Sequence, residues 1–320
     1  MKKFLFRLML GFAILYMTPA AVFAADMLIP VGRVVGLELH NNTVTVVDLD
    51  NGSAAQSAGI QVGDRIISID DHTIRTTEDV RMALDHSEGS IRLTLQRDGQ
   101  LSSVRVEPAI TPEGPKLGVY LRQGVTGIGT ITYYDPATQT FAALGHGVNE
   151  PSGQLLQLSS GHVYAARVAS VRKGKPGEPG QLIGAMCAKD PLGRLNRNTP
   201  QGVFGRAQLP CNAQALPIGE AETVKTGNAV ILSTVFGDSP REYSVEIIKL
   251  YPASRQNGRN MLIRVTDPDL LNITGGIVQG MSGSPLVQDG KLIGAVTHVL
   301  VNDPTMGYGI FIENMLEAAG

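Results

Sequence analysis

Positive charge is not in excess in this sequence of 320 residues. Its 27 Lys and Arg residues face 29 Asp and Glu residues, so the formal net charge is −2, and no long basic tract occurs. A protein that binds nucleic acid needs a positive patch to pair with the phosphates. The composition therefore argues against nucleic acid as the main partner.

Cysteine is scarce as well, since the chain has only Cys187 and Cys211. These two lack the Cys-x-x-Cys partners of a zinc site, and His146 has no His or Cys at ligand spacing. The segment 127–129, Gly-Ile-Gly, lacks the Lys and the helix of a phosphate-binding loop. We therefore predict no metal and no other cofactor. The two cysteines could pair in an oxidising compartment or stand as small buried hydrophobic residues, and the sequence leaves both open.

Helical periodicity is the third feature of which there is little. Thirty-seven glycines and eighteen prolines separate short Val, Ile and Leu runs, which is typical of strands joined by tight turns. Beyond residue 116 no helical pattern occurs until the segment from Glu313 to Ala319. We therefore predict a mainly β protein in which residues 117–320 form a barrel or a double barrel.

The first 25 residues have the features of an export signal. Lys2, Lys3 and Arg7 precede a charge-free stretch that ends in small residues at Ala24 and Ala25. A basic start, an apolar middle and a small-residue end are typical of a signal peptide. The stretch is also just long enough for a retained membrane anchor. The sequence therefore predicts export and leaves cleavage or retention of the segment open.

A small α+β unit is predicted after this segment. Short strands flank a helix that opens at Thr77 with a capping residue and early acids. Residues 53–70, SAAQSAGIQVGDRIISID, resemble the PDZ signature of bacterial proteases. The resemblance implies an N-terminal PDZ domain over residues 27–108, followed by a turn-rich linker over residues 109–116.

PDZ domains bind extended peptide tails by adding a strand to their own sheet. The resemblance places the loop that receives the peptide carboxylate ahead of the second strand. The best match to this loop consists of Gly36, Leu37, Glu38 and Leu39. The alternative is a PDZ fold that only packs against the next domain and binds no peptide.

The hexapeptide Gly-Met-Ser-Gly-Ser-Pro at 280–285 is the most informative motif in the chain. Flanking glycines let the backbone fold tightly around a serine and aim main-chain N–H groups at one point. The motif resembles the nucleophile turn of chymotrypsin-like peptidases. That resemblance implies that Ser282 is the nucleophile and that the N–H groups of Gly280 and Ser282 form the oxyanion hole. Ser284 is the alternative nucleophile.

A serine nucleophile needs a base, and histidine suits this role because its pKa lies near neutrality. His146 follows an apolar segment and is flanked by glycines, as in chymotrypsin-like enzymes, while His298 is the reserve candidate. Asp267, fifteen residues before Ser282, is the candidate for the orienting acid. Asp303 and Asp238 are its rivals, because an Asp-Pro after a strand is often a plain turn.

Several separated blocks of the chain carry a closer resemblance: 117–122, 127–130, 134–136, 143–146, 198–199 with 202–205, and 276–302. Together they resemble the stage IV sporulation protein B family, the S55 serine peptidases of endospore formers. The family resemblance covers the whole chain and assigns the triad to His146, Asp267 and Ser282. It implies a chymotrypsin-like double-β-barrel peptidase domain over residues 117–320.

The family's biology supplies further expectations. Its members are exported into the space between forespore and mother cell, secreted or membrane-associated. They process themselves, which implies self-association, and they cleave the extracytoplasmic part of a membrane regulatory complex. That cleavage activates the late mother-cell sigma factor. The competing hypothesis is an inactive, protease-like PDZ adaptor that binds peptide tails in the cell envelope.

Overall fold

A computed structural model describes residues 27–187, 190–210, 213–254 and 257–320. The predicted signal segment, residues 1–25, lies outside the described residues. The strands are, in chain order, β1 Met27–Pro30, β2 Val34–Leu49, β3 Arg65–Ile69, β4 His72–Thr73, β5 Ile91–Arg97, β6 Gln100–Val106, β7 Ala109–Thr111, β8 Gly114–Lys116, β9 Val119–Asp135, β10 Thr140–Ala143 and β11 Ser160–Arg172. They continue as β12 Gln181–Met186, β13 Gly193–Thr199, β14 Gly202–Ala207, β15 Leu216–Pro217, β16 Gly227–Ser233, β17 Arg241–Leu250, β18 Met261–Val265, β19 Pro285–Gln288, β20 Lys291–Leu300 and β21 Asp303–Phe311.

Helices are short and few in the described part of the chain. They are α1 Ala54–Ser57, α2 Thr77–Asp85, α3 Pro268–Thr274 and α4 Ile312–Ala319, with a 3-10 turn at Ala221–Thr223. Helix α2 begins with a capping box, because Thr76 and Asp79 each accept the other's backbone N–H. The predicted mainly β fold and the predicted C-terminal helix are both confirmed.

Two β-barrels form the part of the molecule outside the PDZ unit. In the first, each strand of the circuit β2–β9–β10–β14–β13–β11 pairs with the next, and β11 pairs back with β2. The second is a closed barrel of β16–β17–β18–β21–β20–β19. A cluster that includes Ala142 and Phe204 of the first barrel, Ala295 of the second and Met315 of α4 packs between them. The predicted double barrel is therefore confirmed.

The PDZ unit grows out of the first barrel through the long strands β2 and β9. Residues 34–39 of β2 pair with residues 125–130 of β9 inside the barrel. Beyond a bulge, residues 44–49 of β2 pair with residues 119–123 of β9, and β2 also pairs there with β3. The PDZ unit is thus inserted between two strands of the barrel that precede and follow it.

This insertion changes the domain boundaries expected from the sequence. Val35, Leu37 and Leu39, expected in the PDZ domain, are buried in the core of the first barrel. Leu117, expected in the peptidase domain, packs in the PDZ core. The expected linker over residues 109–116 is the β7–β8 hairpin. The alternating pattern of a long strand does not show where its pairing partners change. The boundaries predicted from the sequence therefore differ from those in the structure at both ends of the PDZ unit.

A buried ion pair stabilises the PDZ signature. The Asp64 carboxylate is fully buried and receives two hydrogen bonds of 2.7 Å from the Arg97 guanidinium. It also accepts the Gln61 N–H at 2.9 Å. Burial alone would raise the pKa of Asp64, but the hydrogen bonds from Arg97 and Gln61 outweigh it and hold that pKa below its usual value.

We predict that Asp64→Asn destabilises the folded chain by on the order of 1–3 kcal/mol, because it leaves the guanidinium without its buried partner. The wild-type contribution is fully present above the pKa of an unfolded Asp, about 4. It is lost as the pH falls through the lower pKa of the folded state.

Thermal unfolding of the full chain between pH 2 and pH 7 checks this prediction, and Arg81→Met in an exposed helical ion pair is the control. We expect no measurable change in the control and a weaker acid dependence in Asp64→Asn. Equal acid dependence of wild type and Asp64→Asn would contradict the assignment.

Candidate active site

The nucleophile turn, residues 279–284, enters the second barrel with a tightly packed backbone. Gly280 and Gly283 both have positive φ, at 99° and 96°. A Cβ at position 283 would collide with the Thr130 carbonyl oxygen and the Leu144 nitrogen, so only glycine fits there. The Met281 side chain is fully buried in the barrel core. This packing fixes the backbone on both sides of Ser282.

Thr130, on β9 of the first barrel, braces this turn. Its hydroxyl donates to the Gly280 carbonyl at 2.8 Å, and its N–H donates to the Ser282 carbonyl at 3.1 Å. Its own carbonyl accepts the N–H of Leu144, two residues before His146, at 3.2 Å. No local sequence pattern identifies this role of Thr130, because the turn that it braces lies about 150 positions further along the chain.

The oxyanion-hole donors predicted from the sequence are the N–H groups of Gly280 and Ser282. Within the described residues neither N–H donates a hydrogen bond, whereas the carbonyls of the same two residues are held by Thr130. The Ser282 hydroxyl donates to the Thr297 carbonyl at 2.7 Å. The assignment of these two N–H groups to an oxyanion hole stays a prediction.

His146 lies directly after β10, on a loop that begins with two left-handed residues, Leu144 and Gly145 (φ 72° and 68°). A positive φ is uncommon for leucine and marks a backbone held by its surroundings. The His146 Nδ1 atom lies 2.9 Å from the Gly147 carbonyl. Since a carbonyl only accepts, Nδ1 carries the proton and Nε2 is left unprotonated.

The electrostatic surroundings of His146 suit a neutral imidazole. Burial lowers the pKa of His146, and the hydrogen bond to the Gly147 carbonyl opposes that effect only in part. The ring centroid of His298 lies 5.2 Å away. Burial, together with the nearby His146 and Arg259, lowers the pKa of His298 to about 4. Both rings are therefore uncharged at neutral pH.

His298, the reserve base, lies on β20 next to Thr297, whose carbonyl accepts the Ser282 hydroxyl. Its Nδ1 atom is buried and has no hydrogen-bond partner within the described residues. The structure therefore brings the regions of Ser282, His146 and His298 together at the junction of the barrels.

Asp267, the predicted orienting acid, is not joined to this group. Its carboxylate caps α3, accepting the N–H groups of Asp269 and Leu270 at 3.0 Å and of Ser244 at 3.2 Å. Within the described residues its three hydrogen bonds all come from backbone N–H groups, and none comes from His146. The Asp-Pro step after a strand acts as a helix start in this structure. The assignment of Asp267 to the triad stays a prediction.

The remaining alternatives are engaged elsewhere in the described part of the chain. The carboxylate of Asp303 accepts the hydroxyl and N–H of Thr305, and Asp238 accepts the Ser239 hydroxyl. Ser284 is fully buried and donates to the Ser233 hydroxyl at 3.0 Å. A nucleophile must reach its substrate, so this burial disfavours Ser284.

Asn198 organises the loop that follows His146, and the sequence did not reveal this role. Its side chain accepts the Val148 N–H at 2.9 Å and donates to the carbonyls of Val148 and Leu156 at 2.8 and 2.9 Å. Three hydrogen bonds from one amide close the base of the loop. The block 198–205 carried part of the family resemblance, but no local pattern assigns its contacts.

The peptide loop expected at Gly36, Leu37, Glu38 and Leu39 is not a loop. These residues lie near the start of β2, where the strand is paired with β9 on one edge and β11 on the other. Because both edges are occupied, the segment cannot add a peptide strand. It resembled the expected loop only in its short run of small and apolar residues.

A cleft of about 560 Å³ lies instead between α2 and the start of β9. Val80 and Leu84 of the helix line one side, and Leu117, Gly118 and Val119 line the other. Residues 119–121 pair with β2 on one edge, and no strand covers their other edge within the described residues. This is the arrangement that strand addition requires.

Three further predictions concern the two cysteines, a metal site and a membrane-spanning helix. Cys187 is exposed, and Cys211 lies outside the described residues, so their pairing stays open. In the described part of the chain, no three His, Cys, Asp or Glu side chains are grouped as metal ligands. None of the described helices is long and apolar enough to cross a bilayer.

Comparison with solved structures finds peptidases and PDZ domains. A protease of M. tuberculosis in its active form has 16% identity and a TM-score of 0.38, covering 61% of this chain and 73% of that one. An HtrA-type protease with a decapeptide has 15% identity and a TM-score of 0.36, covering 65% and 57%.

Comparison with curated proteins finds partial matches. A candidate zinc metalloprotease of Brucella suis is 28% identical over 119 residues, 37% of this chain and 30% of that protein. One from Rhizobium meliloti is 30% identical over 148 residues, 42% of this chain and 38% of that protein. The chain thus spans about a third of the length of the curated relatives that it matches.

Family models cover both parts of the molecule. A PDZ domain model matches residues 45–97, which lie within the inserted unit. The model described as SpoIVB peptidase S55 matches residues 113–316, a range that contains the Ser282 turn and the His146 loop. Because this match covers more than half of the chain, the protein belongs to the SpoIVB peptidase family, S55.

Proposed function

We propose that this chain is a serine endopeptidase in which Ser282 is the nucleophile and His146 the general base. The observation that carries the proposal is the double bracing by Thr130, which ties the nucleophile turn to the segment leading to His146. Two loops from different barrels are thereby held together at one point. Family membership supports the same reaction class.

The chemistry follows from the groups present. The Ser282 Oγ attacks the carbonyl carbon of a peptide bond, and the His146 Nε2 accepts the hydroxyl proton. The N–H groups of Gly280 and Ser282 stabilise the negative charge on the carbonyl oxygen. His146 returns the proton to the departing amine as the C–N bond breaks. Water then hydrolyses the ester on Ser282 by the same steps.

One movement must precede attack. The Ser282 hydroxyl donates to the Thr297 carbonyl in this structure, so it has to turn toward His146 when substrate arrives. Catalytic hydrogen bonds commonly tighten only in the substrate complex. Rotation of one hydroxyl is a small change, and the braced backbone does not have to move.

Two groups are candidates for orienting His146. The Gly147 carbonyl already contacts Nδ1, whereas the Asp267 carboxylate, which the family resemblance assigns, would have to leave the α3 cap. We favour the Gly147 carbonyl because it makes the contact without any rearrangement.

The biological setting that we propose comes from the family resemblance. The enzyme acts outside the cytoplasm, between forespore and mother cell, after export by its N-terminal segment. It processes itself and cleaves the extracytoplasmic part of a membrane regulatory complex to trigger the late mother-cell sigma factor. The cleft between α2 and β9 supports binding of peptide tails by the PDZ unit.

The alternative is an inactive PDZ adaptor that binds peptide tails in the envelope. The observation in its favour is that the Ser282 hydroxyl is hydrogen-bonded to a carbonyl and that, in the described part of the chain, no carboxylate is hydrogen-bonded to His146. Loss of a working triad would leave the PDZ cleft unaffected, so the two functions differ in a measurable way.

We predict that wild type expressed alone yields shortened self-processing products and that Ser282→Ala yields none, because the nucleophile is lost. Gel analysis with N-terminal sequencing of the products checks this. Ser284→Ala is the matched control, since it removes a hydroxyl two residues away that the structure buries. Processing by Ser282→Ala, or its loss in a well-folded Ser284→Ala, would contradict the assignment.

We also predict that Asp267→Ser keeps activity, because serine retains the helix cap while removing the carboxylate. The expected loss in kcat is less than about tenfold, against the roughly 10⁴-fold loss for a carboxylate that orients the catalytic histidine. Asp267→Ala should lower stability by about 1 kcal/mol through loss of the cap. A loss of several thousandfold in a stable Asp267→Ser protein would restore the triad role of Asp267.

A further inference from the structure

The loop that carries His146 is anchored at its base and at its tip by different parts of the molecule. It is a small hairpin in which Asn149 bridges Leu155 and the Glu150 N–H donates to the Gln154 carbonyl at 2.8 Å. Asn198 of the first barrel donates hydrogen bonds to the two ends of this hairpin, at the carbonyls of Val148 and Leu156. Its tip turns toward the PDZ unit.

The tip is held by the Glu150 side chain, which is only 13% exposed. One carboxylate oxygen lies 2.6 Å from the Arg65 guanidinium, on strand β3 of the PDZ unit. The other accepts the Asn41 side-chain N–H at 2.8 Å. A largely buried carboxylate with two donors is a stronger and better-oriented contact than an exposed ion pair.

Both donors are themselves fixed on the PDZ side. Arg65 directly follows Asp64, whose carboxylate is held by Arg97. Asn41 is buried on β2 at the crossing between barrel and PDZ unit, and its carbonyl accepts the Gln123 side chain at 3.1 Å. Gln123 in turn accepts the N–H of Thr77 at the start of α2. The donors therefore lie on elements that are held by contacts of their own.

We propose that Glu150 is a positioning residue for His146. Its carboxylate, held by Arg65 and Asn41, keeps the hairpin in the place where the imidazole can serve Ser282. A cleft of about 480 Å³ surrounds this contact between the PDZ unit and the hairpin, so there is room for the tip to move when the contact is lost. This inference rests on the proposed function, in which His146 is the base.

The test uses the full chain with Arg65→Met, Glu150→Ala, the double variant and the charge swap Arg65→Glu/Glu150→Arg. The rate at which a serine-reactive phosphonate labels Ser282 is measured beside the thermal unfolding temperature. Arg264→Met is the control, because the Arg264–Glu246 pair lies on the second barrel at 3.8 Å and is exposed.

Each single variant should lower the labelling rate about tenfold, since small displacements of a catalytic group cost this much or more. The double variant should be labelled about as slowly as the slower of the two single variants, because both substitutions remove the same contact. The charge swap should recover part of the rate, and Arg264→Met should match wild type. Unchanged rates, or losses that multiply in the double variant, would overturn the proposal.

A second readout separates this proposal from the proposed function. Hydrogen exchange of the amides in residues 148–156 should accelerate in Arg65→Met and Glu150→Ala and stay at wild-type rates in Arg264→Met. If wild type is never labelled, the peptidase proposal fails, and exchange alone then decides whether Glu150 holds the hairpin. Wild-type exchange rates in Arg65→Met and Glu150→Ala would exclude that role.

Discussion

Thr130 is the residue on which the geometry of the site depends. It donates hydrogen bonds to the carbonyls of Gly280 and Ser282 and accepts the N–H of Leu144. One residue of the first barrel therefore holds both the turn that contains Ser282 and the start of the loop that carries His146. Its side chain is fully buried, where a hydrogen bond that is lost is not replaced by water. The same close approach explains why position 283 admits only glycine. The two barrels therefore meet in a single arrangement.

The PDZ unit and the double barrel are joined by strands that run through both, as well as by side-chain contacts. Strands β2 and β9 run without interruption from the first barrel into the PDZ sheet. The cleft beside α2 uses the outer end of β9, and Thr130 lies near the inner end of that strand. Glu150 adds a side-chain contact between the PDZ unit and the loop that carries His146. A peptide in the PDZ cleft would thus lie on the strand that braces the active site.

Features that can be recognised within a short stretch of sequence were predicted correctly. Features that depend on pairing between residues far apart in the chain were not. The PDZ signature, the helix at Thr77 and the glycines beside Ser282 could be recognised because each pattern lies within a short stretch of the chain, although distant residues such as Arg97 and Thr130 complete their contacts. Gly36 to Leu39 have the same alternation whether their edges are free or paired, and the pairing with β9 and β11 is set by residues about 90 to 125 positions away. Thr130 and Gly280 are 150 positions apart. No local pattern could report their contact.

The central claim is that Ser282 is a nucleophile activated by its surroundings, and an ordinary turn serine would not share its reactivity. The most direct measurement is peptide mapping by mass spectrometry after wild-type protein is treated with a serine-reactive phosphonate. We predict one adduct per chain, on Ser282, which disappears when His146 is replaced by alanine. An adduct on another serine, or none on a correctly folded protein, would contradict it.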